Sequence, residues 1–208
     1  MNPASIKYLL NQAELLHQQD PPNAGSIYTA FTTSWIAWEA LRTRFIRVVI
    51  HQKGWLLKDA DKVLAKCHIS STKKAKDVLI RLGVKDPYQW SGQSGKVWRA
   101  LSEIEPLRHR LIHGFKSVDP ARIQAATEIV IYAVKNHDWL SDVPLVDPPE
   151  KRSVVGPILT PCHSSKKTHD RTLDELAQIM GVSVTDGQSS IPSMERLESL
   201  TQKICIDK

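Results

Sequence analysis

Arg108 and His113 are the two residues of this chain best suited to chemistry on a phosphodiester. They stand in the run Arg108-His109-Arg110-Leu111-Ile112-His113-Gly114. An arginine stays protonated, and its fork of N–H donors fits a phosphate and stabilises charge developing on it. A histidine titrates near neutrality and can pass a proton in either direction. Spacing alone does not join the pair. Five residues of ideal helix turn by about 500°, which leaves the two side chains roughly 140° apart and off any shared face. Convergence requires His113 in a distorted last turn, and Gly114 is a residue able to end a helix there. The plainer alternative is a group of basic residues that stabilises the negative end of a helix dipole.

Glu39 is the next candidate. It follows the aromatic patch Trp35-Ile36-Ala37-Trp38, one position from an apolar stripe. A carboxylate there can orient Arg108 or a histidine through a charge-assisted bond. It can equally pair with Arg42, three residues further along the same helix. Arg110 and Lys116 flank the motif and suit either an RNA backbone or plain solvation. Trp35, Trp38 and Trp98 fall at core spacing, whereas Trp55 and Trp90 lie near loop boundaries and are more open to stacking a base. Cys162, His163 and His169 have no recognised zinc spacing, so no metal and no cofactor is expected.

These residues need helices to position them. Ile6, Leu9, Leu10, Ala13 and Leu16 recur at helical spacing behind Ser5, and Asp20-Pro21-Pro22 ends the segment. A long helix is predicted from about Ser26 to His51. Phe31, Trp35, Trp38, Leu41, Phe45, Val48 and Val49 form its apolar face, and Arg42, Arg44 and Arg47 fall mostly on other faces. Shorter helices follow over about Lys58 to Cys67 and Lys73 to Leu82. The Ser91-Gly92-Gln93-Ser94-Gly95 stretch reads as a loop before a helix from about Lys96 to Ile112. Pro106 should kink that helix or mark a restart. Asp119-Pro120 opens the last long helix, which runs to about Trp139. No segment alternates as a strand.

Composition divides the chain. Its 208 residues carry a net charge of +6. Through Asp142 there are 20 Lys/Arg against 13 Asp/Glu, and from Val143 onward 8 against 9. The positive excess therefore belongs to the first part and favours a polyanionic partner such as RNA or DNA. The expected organisation is a helical bundle over 1–142, then a linker and C-terminal extension over 143–208. The extension is largely irregular, with short helices over about Thr172 to Met180 and Pro192 to Ile204. Leu173 to Ser183 is similar to the first half of a helix-turn-helix, but Gly187 and Pro192 interrupt the second half. A segment that docks on the bundle or on a partner is the simpler reading. Three scattered cysteines argue against a disulfide framework. No run of ~20 uncharged apolar residues is present, and the first residues lack a signal-peptide pattern. The expectation is a cytoplasmic protein with no membrane segment.

The Arg-x4-His run, its following glycine, the long upstream helix and the capped helix downstream resemble the signature of the HEPN superfamily. These are helical nucleotide-binding domains of higher eukaryotes and prokaryotes, and the resemblance covers about Ser5 to Trp139. It implies an all-α, antiparallel helical bundle of HEPN type. It also implies a metal-independent endoribonuclease of toxin or antiviral-defence type, acting as a homodimer with a composite active site. Arg108 would then hold the scissile phosphate, and His113 would handle the proton of the 2′-hydroxyl or of the leaving group. His109 fills the family's polar position after the arginine, and an acidic residue in an early helix is matched loosely by Glu39. An antitoxin or regulatory protein is an implied partner. In family toxins silenced by a nucleotidyltransferase a tyrosine lies two positions after the histidine. This chain has Phe115 there, which argues against that control. The second reading is a catalytically inactive HEPN-like module that binds RNA or a partner.

Overall fold

The computed structural model describes residues 3–67, 69–112, 114, 118–146, 153–160 and 171–183. Among these the fold is all-α, and its only β pairing is two isolated bridges, Val84 with Leu145 and Pro144 with Val154. Four long helices form the bundle: α1 (Pro3–His17), α2 (Ala24–Gln52), α5 (Gly92–Ile112) and α6 (Pro120–Lys135). Between α2 and α5 lie α3 (Leu57–Lys66) and α4 (Thr72–Arg81), and α7 (Asp138–Ser141) follows α6. Lys135 bonds Glu14 at 2.6 Å, while Glu128 lies 3.5 Å from His17, so α1 and α6 run in opposite directions. Gln93 donates to the Tyr132 hydroxyl at 3.1 Å, which joins the start of α5 to the end of α6 and makes that pair antiparallel too, and the Ser94 hydroxyl donates to the Trp139 carbonyl of α7 at 2.7 Å.

Local sequence sets the helix ends. Asn23 accepts from the Ser26 amide at 2.9 Å and donates its own amide to the Ser26 hydroxyl, a reciprocal cap at the start of α2. Ser71 caps α4, and Asp119 caps α6 ahead of Pro120. The predicted loop at residues 91–95 is instead, from Gly92 onward, the first turn of α5. Gly95 is needed there for close approach, because a Cβ at that position would sit 2.0 Å from the Trp90 carbonyl oxygen. α5 also continues unbroken through Pro106. Proline removes one amide from the ladder without ending a helix whose inward face is packed on both sides of it. Leu101, Ile104 and Leu107 are that face.

The tryptophans make the centre. Trp38 meets Trp98 edge-on with centroids 6.1 Å apart and lies 5.9 Å from Trp139, and Trp90 lies 5.2 Å from Trp98. Trp55 and Trp90 are buried as well, so their places near loop boundaries do not open them to a base. Their indole N–H groups donate to the carbonyls of Thr172 and Lys85, which satisfies each ring's one polar atom inside the fold.

A second departure concerns α2. Arg42 and Arg44 are buried, at 1% and 3% exposure, rather than on outer faces. The cause is that α2 is wrapped on nearly every side. α1, α3 and α6 pack against it, and so do the residues just after the bundle. Val143, Leu145, Val155 and Ile158 join the core, and α8 (Leu173–Met180) lies on α3 and α4 through Leu176, Ala177 and Met180. The helix predicted over Pro192 to Ile204 lies outside the described residues, as do Cys162, His163 and His169.

Candidate active site

The stripe that buries Trp35 and Trp38 leaves Glu39 at the edge of the core, and the inward face of α5 leaves Arg108 at the matching edge one turn from its end. The two meet. Arg108 Nη2 lies 3.3 Å from Glu39 Oε1, with side chains 23% and 30% exposed. The same carboxylate oxygen accepts the Trp35 indole N–H at 3.0 Å. Glu39 is thus held by its own helix while it holds an arginine from another. Its ion-pair partner is Arg108 and not Arg42, the neighbour on its own helix. The Nε of Arg108 is buried with no hydrogen-bond partner.

Arg42 lies beneath this pair. Its Nη2 donates to the Ile69 carbonyl at 2.9 Å, and its guanidinium lies 5.9 Å from the Trp38 ring. Its Nε and Nη1 have no hydrogen-bond partner. Burial lowers its pKa, Glu39 and Glu105 act to raise it, and Arg108 lowers it further. Glu105, one turn before Arg108 on α5, accepts the Thr72 amide with both carboxylate oxygens, at 2.9 and 3.0 Å. An anion at the first turn of α4 also complements that helix's dipole. Two arginines and two glutamates from α2 and α5 therefore share one partly dry corner of the bundle, tied to the start of α4.

Sequence reading assigned Arg42 no role beyond a surface partner for Glu39. A signal was available: position 42 lies four after Trp38 and three before Phe45, on the apolar stripe itself. A charged residue at a stripe position marks a buried charge. Of the other predicted site residues, His109 and Arg110 are exposed in the last turn of α5. His113, Phe115 and Lys116 lie outside the described residues. Gly114 has a φ of +63° and nothing within 4 Å of where its Cβ would be, so the demand there is conformational and not steric. Among the described residues no group of three or more His, Cys, Asp or Glu is placed to hold a metal ion. Also among them, no helix is long and apolar enough to cross a membrane. No family model, curated protein or solved structure matches the chain.

The chemistry available to this corner is anion recognition. Arg108 is aimed by a carboxylate that is itself fixed by an indole, which restricts the rotamers of a long side chain and reduces the ordering cost of binding. Glu39 balances one of the two positive charges, and the exposed Arg110 adds another on the same terminal turn of α5.

Proposed function

We propose that the protein is a metal-independent endoribonuclease of HEPN type, a toxin or antiviral-defence effector that cleaves RNA by attack of the 2′-hydroxyl. The observation that carries this reading is the orientation of Arg108 by Glu39 and Trp35 at the edge of the core, one turn before the end of α5. An arginine held in this way can grip the scissile phosphate and stabilise the charge that develops as the 2′-oxygen attacks phosphorus in line. His113 takes the 2′-hydroxyl proton or returns one to the departing 5′-oxygen, and the product is a 2′,3′-cyclic phosphate. His109 contacts the phosphate from the same terminal turn, and Arg110 and Lys116 hold the strand. A homodimer in which Arg108 of one subunit faces His113 of the other overcomes the angular separation that one helix imposes. The experiment is cleavage of a structured RNA by the full chain in EDTA. The parent is expected to leave cyclic phosphate ends. His113→Ala should be slower by about 100-fold or more, the scale on which a general acid–base residue acts. Cleavage by His113→Ala at the parent's rate removes the assignment.

One observation favours a second reading, a binding module without turnover. Arg108 Nη2 is already engaged by Glu39. If that pair is purely structural, the protein binds RNA with no cleavage in the same assay, and Arg108→Ala leaves cell growth as it was.

A further inference from the structure

The antiparallel pair α5 and α6 leaves a cleft of about 290 Å³ between them. Its floor is apolar and shallow: Ile104 and Leu107 from α5, with Ala125, Ala126 and Ile129 from α6. Two arginines line one end, Arg110 in the last turn of α5 and Arg122 in the first turn of α6. Both are exposed, and neither side chain makes an ion pair or hydrogen bond among the described residues. Glu103 lines the cleft two turns before Arg110, about 10 Å away by helical rise. The groove is therefore polar in direction. It is positive where α5 gives way to α6, apolar along its length and negative toward the far end.

We propose that this groove holds one nucleotide of a single-stranded RNA, with its phosphate at Arg110 and Arg122 and its base flat on the apolar floor. The proposal rests on the ribonuclease reading, because the arginine end of the groove is the end of α5 that carries Arg108 and leads into His113. Charge complementarity selects the occupant. Two unpaired guanidinium groups suit the phosphate. The small side chains of Ala125 and Ala126 leave a bed rather than sockets, which suits a planar ring better than the branched side chains of an acidic peptide. Glu103 opposes a second phosphate at the far end and can accept from a base amino group. The groove would thus read one base beside the cleaved bond.

The test is fluorescence anisotropy with a labelled single-stranded 12-nucleotide RNA whose 2′-positions are O-methylated, so that it binds and cannot be cut. Arg122→Ala and Arg110→Ala are each expected to weaken binding about 3- to 10-fold at 0.1 M salt and to reduce the salt slope by about 0.7. Ala125→Leu, which fills the floor with a good helix former, should weaken binding about 5-fold or more with an unchanged melting temperature. Parent-like binding by Arg122→Ala and Ala125→Leu overturns the proposal. So does a glutamate- and leucine-rich peptide that binds the parent more tightly than the RNA and is lost in the same variants. The ribonuclease reading is judged separately with unmodified RNA. Cleavage by the parent together with undiminished binding by the groove variants defeats the groove alone. Groove-dependent binding without any cleavage defeats the ribonuclease reading alone.

Discussion

Arg44 on α2 and Arg108, which reaches α2 from α5, are both mostly buried arginines, yet their donors are used differently. Arg44 gives its Nε to the Ile158 carbonyl at 2.6 Å and Nη2 to the Thr160 carbonyl at 2.8 Å, which fixes the stretch after the bundle to α2. Gln52 grips the Val155 carbonyl on the same side. These acceptors are neutral backbone atoms, and no Arg44 nitrogen is among the buried atoms that lack a partner. Around Glu39 the pattern reverses. Arg108 has one carboxylate contact and a buried, unpartnered Nε, and Arg42 beneath it has two unpartnered nitrogens. Buried donors without partners are rare in folded proteins and call for a reason. Arg44 is thus part of the framework, and on the proposed reading the Arg108 corner keeps donors for an anion.

The largest expected effect tests that contrast directly. On the proposed reading, Arg108→Ala slows RNA cleavage by about 100- to 1,000-fold. Its stability cost stays within about 1 kcal/mol, because the ion pair is partly solvated. Steady-state cleavage rates with parallel thermal melts separate the two quantities. Arg44→Ala should do the opposite. It strips the buried Ile158 carbonyl and the partly exposed Thr160 carbonyl of their donor and is expected to cost about 1–3 kcal/mol, while the folded fraction keeps its specific activity. Urea unfolding with an active-fraction assay measures this, and a stable but inactive Arg44→Ala would erase the distinction.

Smaller changes sharpen the comparison. Glu39→Gln keeps an acceptor for the Trp35 indole and removes the charge that faces Arg108. Cleavage should fall about 10-fold with little change in melting, since a neutral acceptor restrains a guanidinium less strongly. A Glu39→Gln variant as fast as the parent would reduce Glu39 to a packing residue. The smallest effect belongs to Arg47 and Asp61, whose forked pair has contacts of 2.5 and 2.7 Å, with the Asp61 side chain half exposed. The Arg47 hydrogen bond holds the Asp61 pKa below its ordinary 3.8. A depressed carboxylate pKa adds stability above the ordinary value and loses it as pH falls through the folded value. Asp61→Asn should therefore cost under about 1 kcal/mol at neutral pH. Its melting temperature should converge with the parent's in acid below the folded pKa, and acid titration of both proteins checks this.

Much of the fold was legible because its signals are local. The cap residues Ser71, Asp119 and Thr172 and the stop at Gly181 all act within one helical turn, and among the described residues α1 to α6 and α8 lie within a few residues of their predicted spans. The first turn of α5 was not legible. Gly92 and Gly95 look like breakers in sequence, and only the close approach of the Trp90 carbonyl explains a glycine within the helix. The surroundings of Trp55 and Trp90 were not legible for a similar reason, since their burial depends on Phe45, Trp98, Arg171 and Thr172, which arrive from other elements.

The sequence by itself determined an all-α chain, the ends of its helices, and an arginine and a glutamate at the edges of two apolar stripes. Periodicity and capping suffice for that, because both act along one helix. Only the tertiary structure decided that Glu39 takes Arg108 and not Arg42, that Arg42 and Arg44 lie inside, and that residues 153–160 and α8 close over the bundle. Those outcomes depend on which helix faces meet. The meeting is set by the joint packing of large side chains from distant parts of the chain, which no single helix encodes.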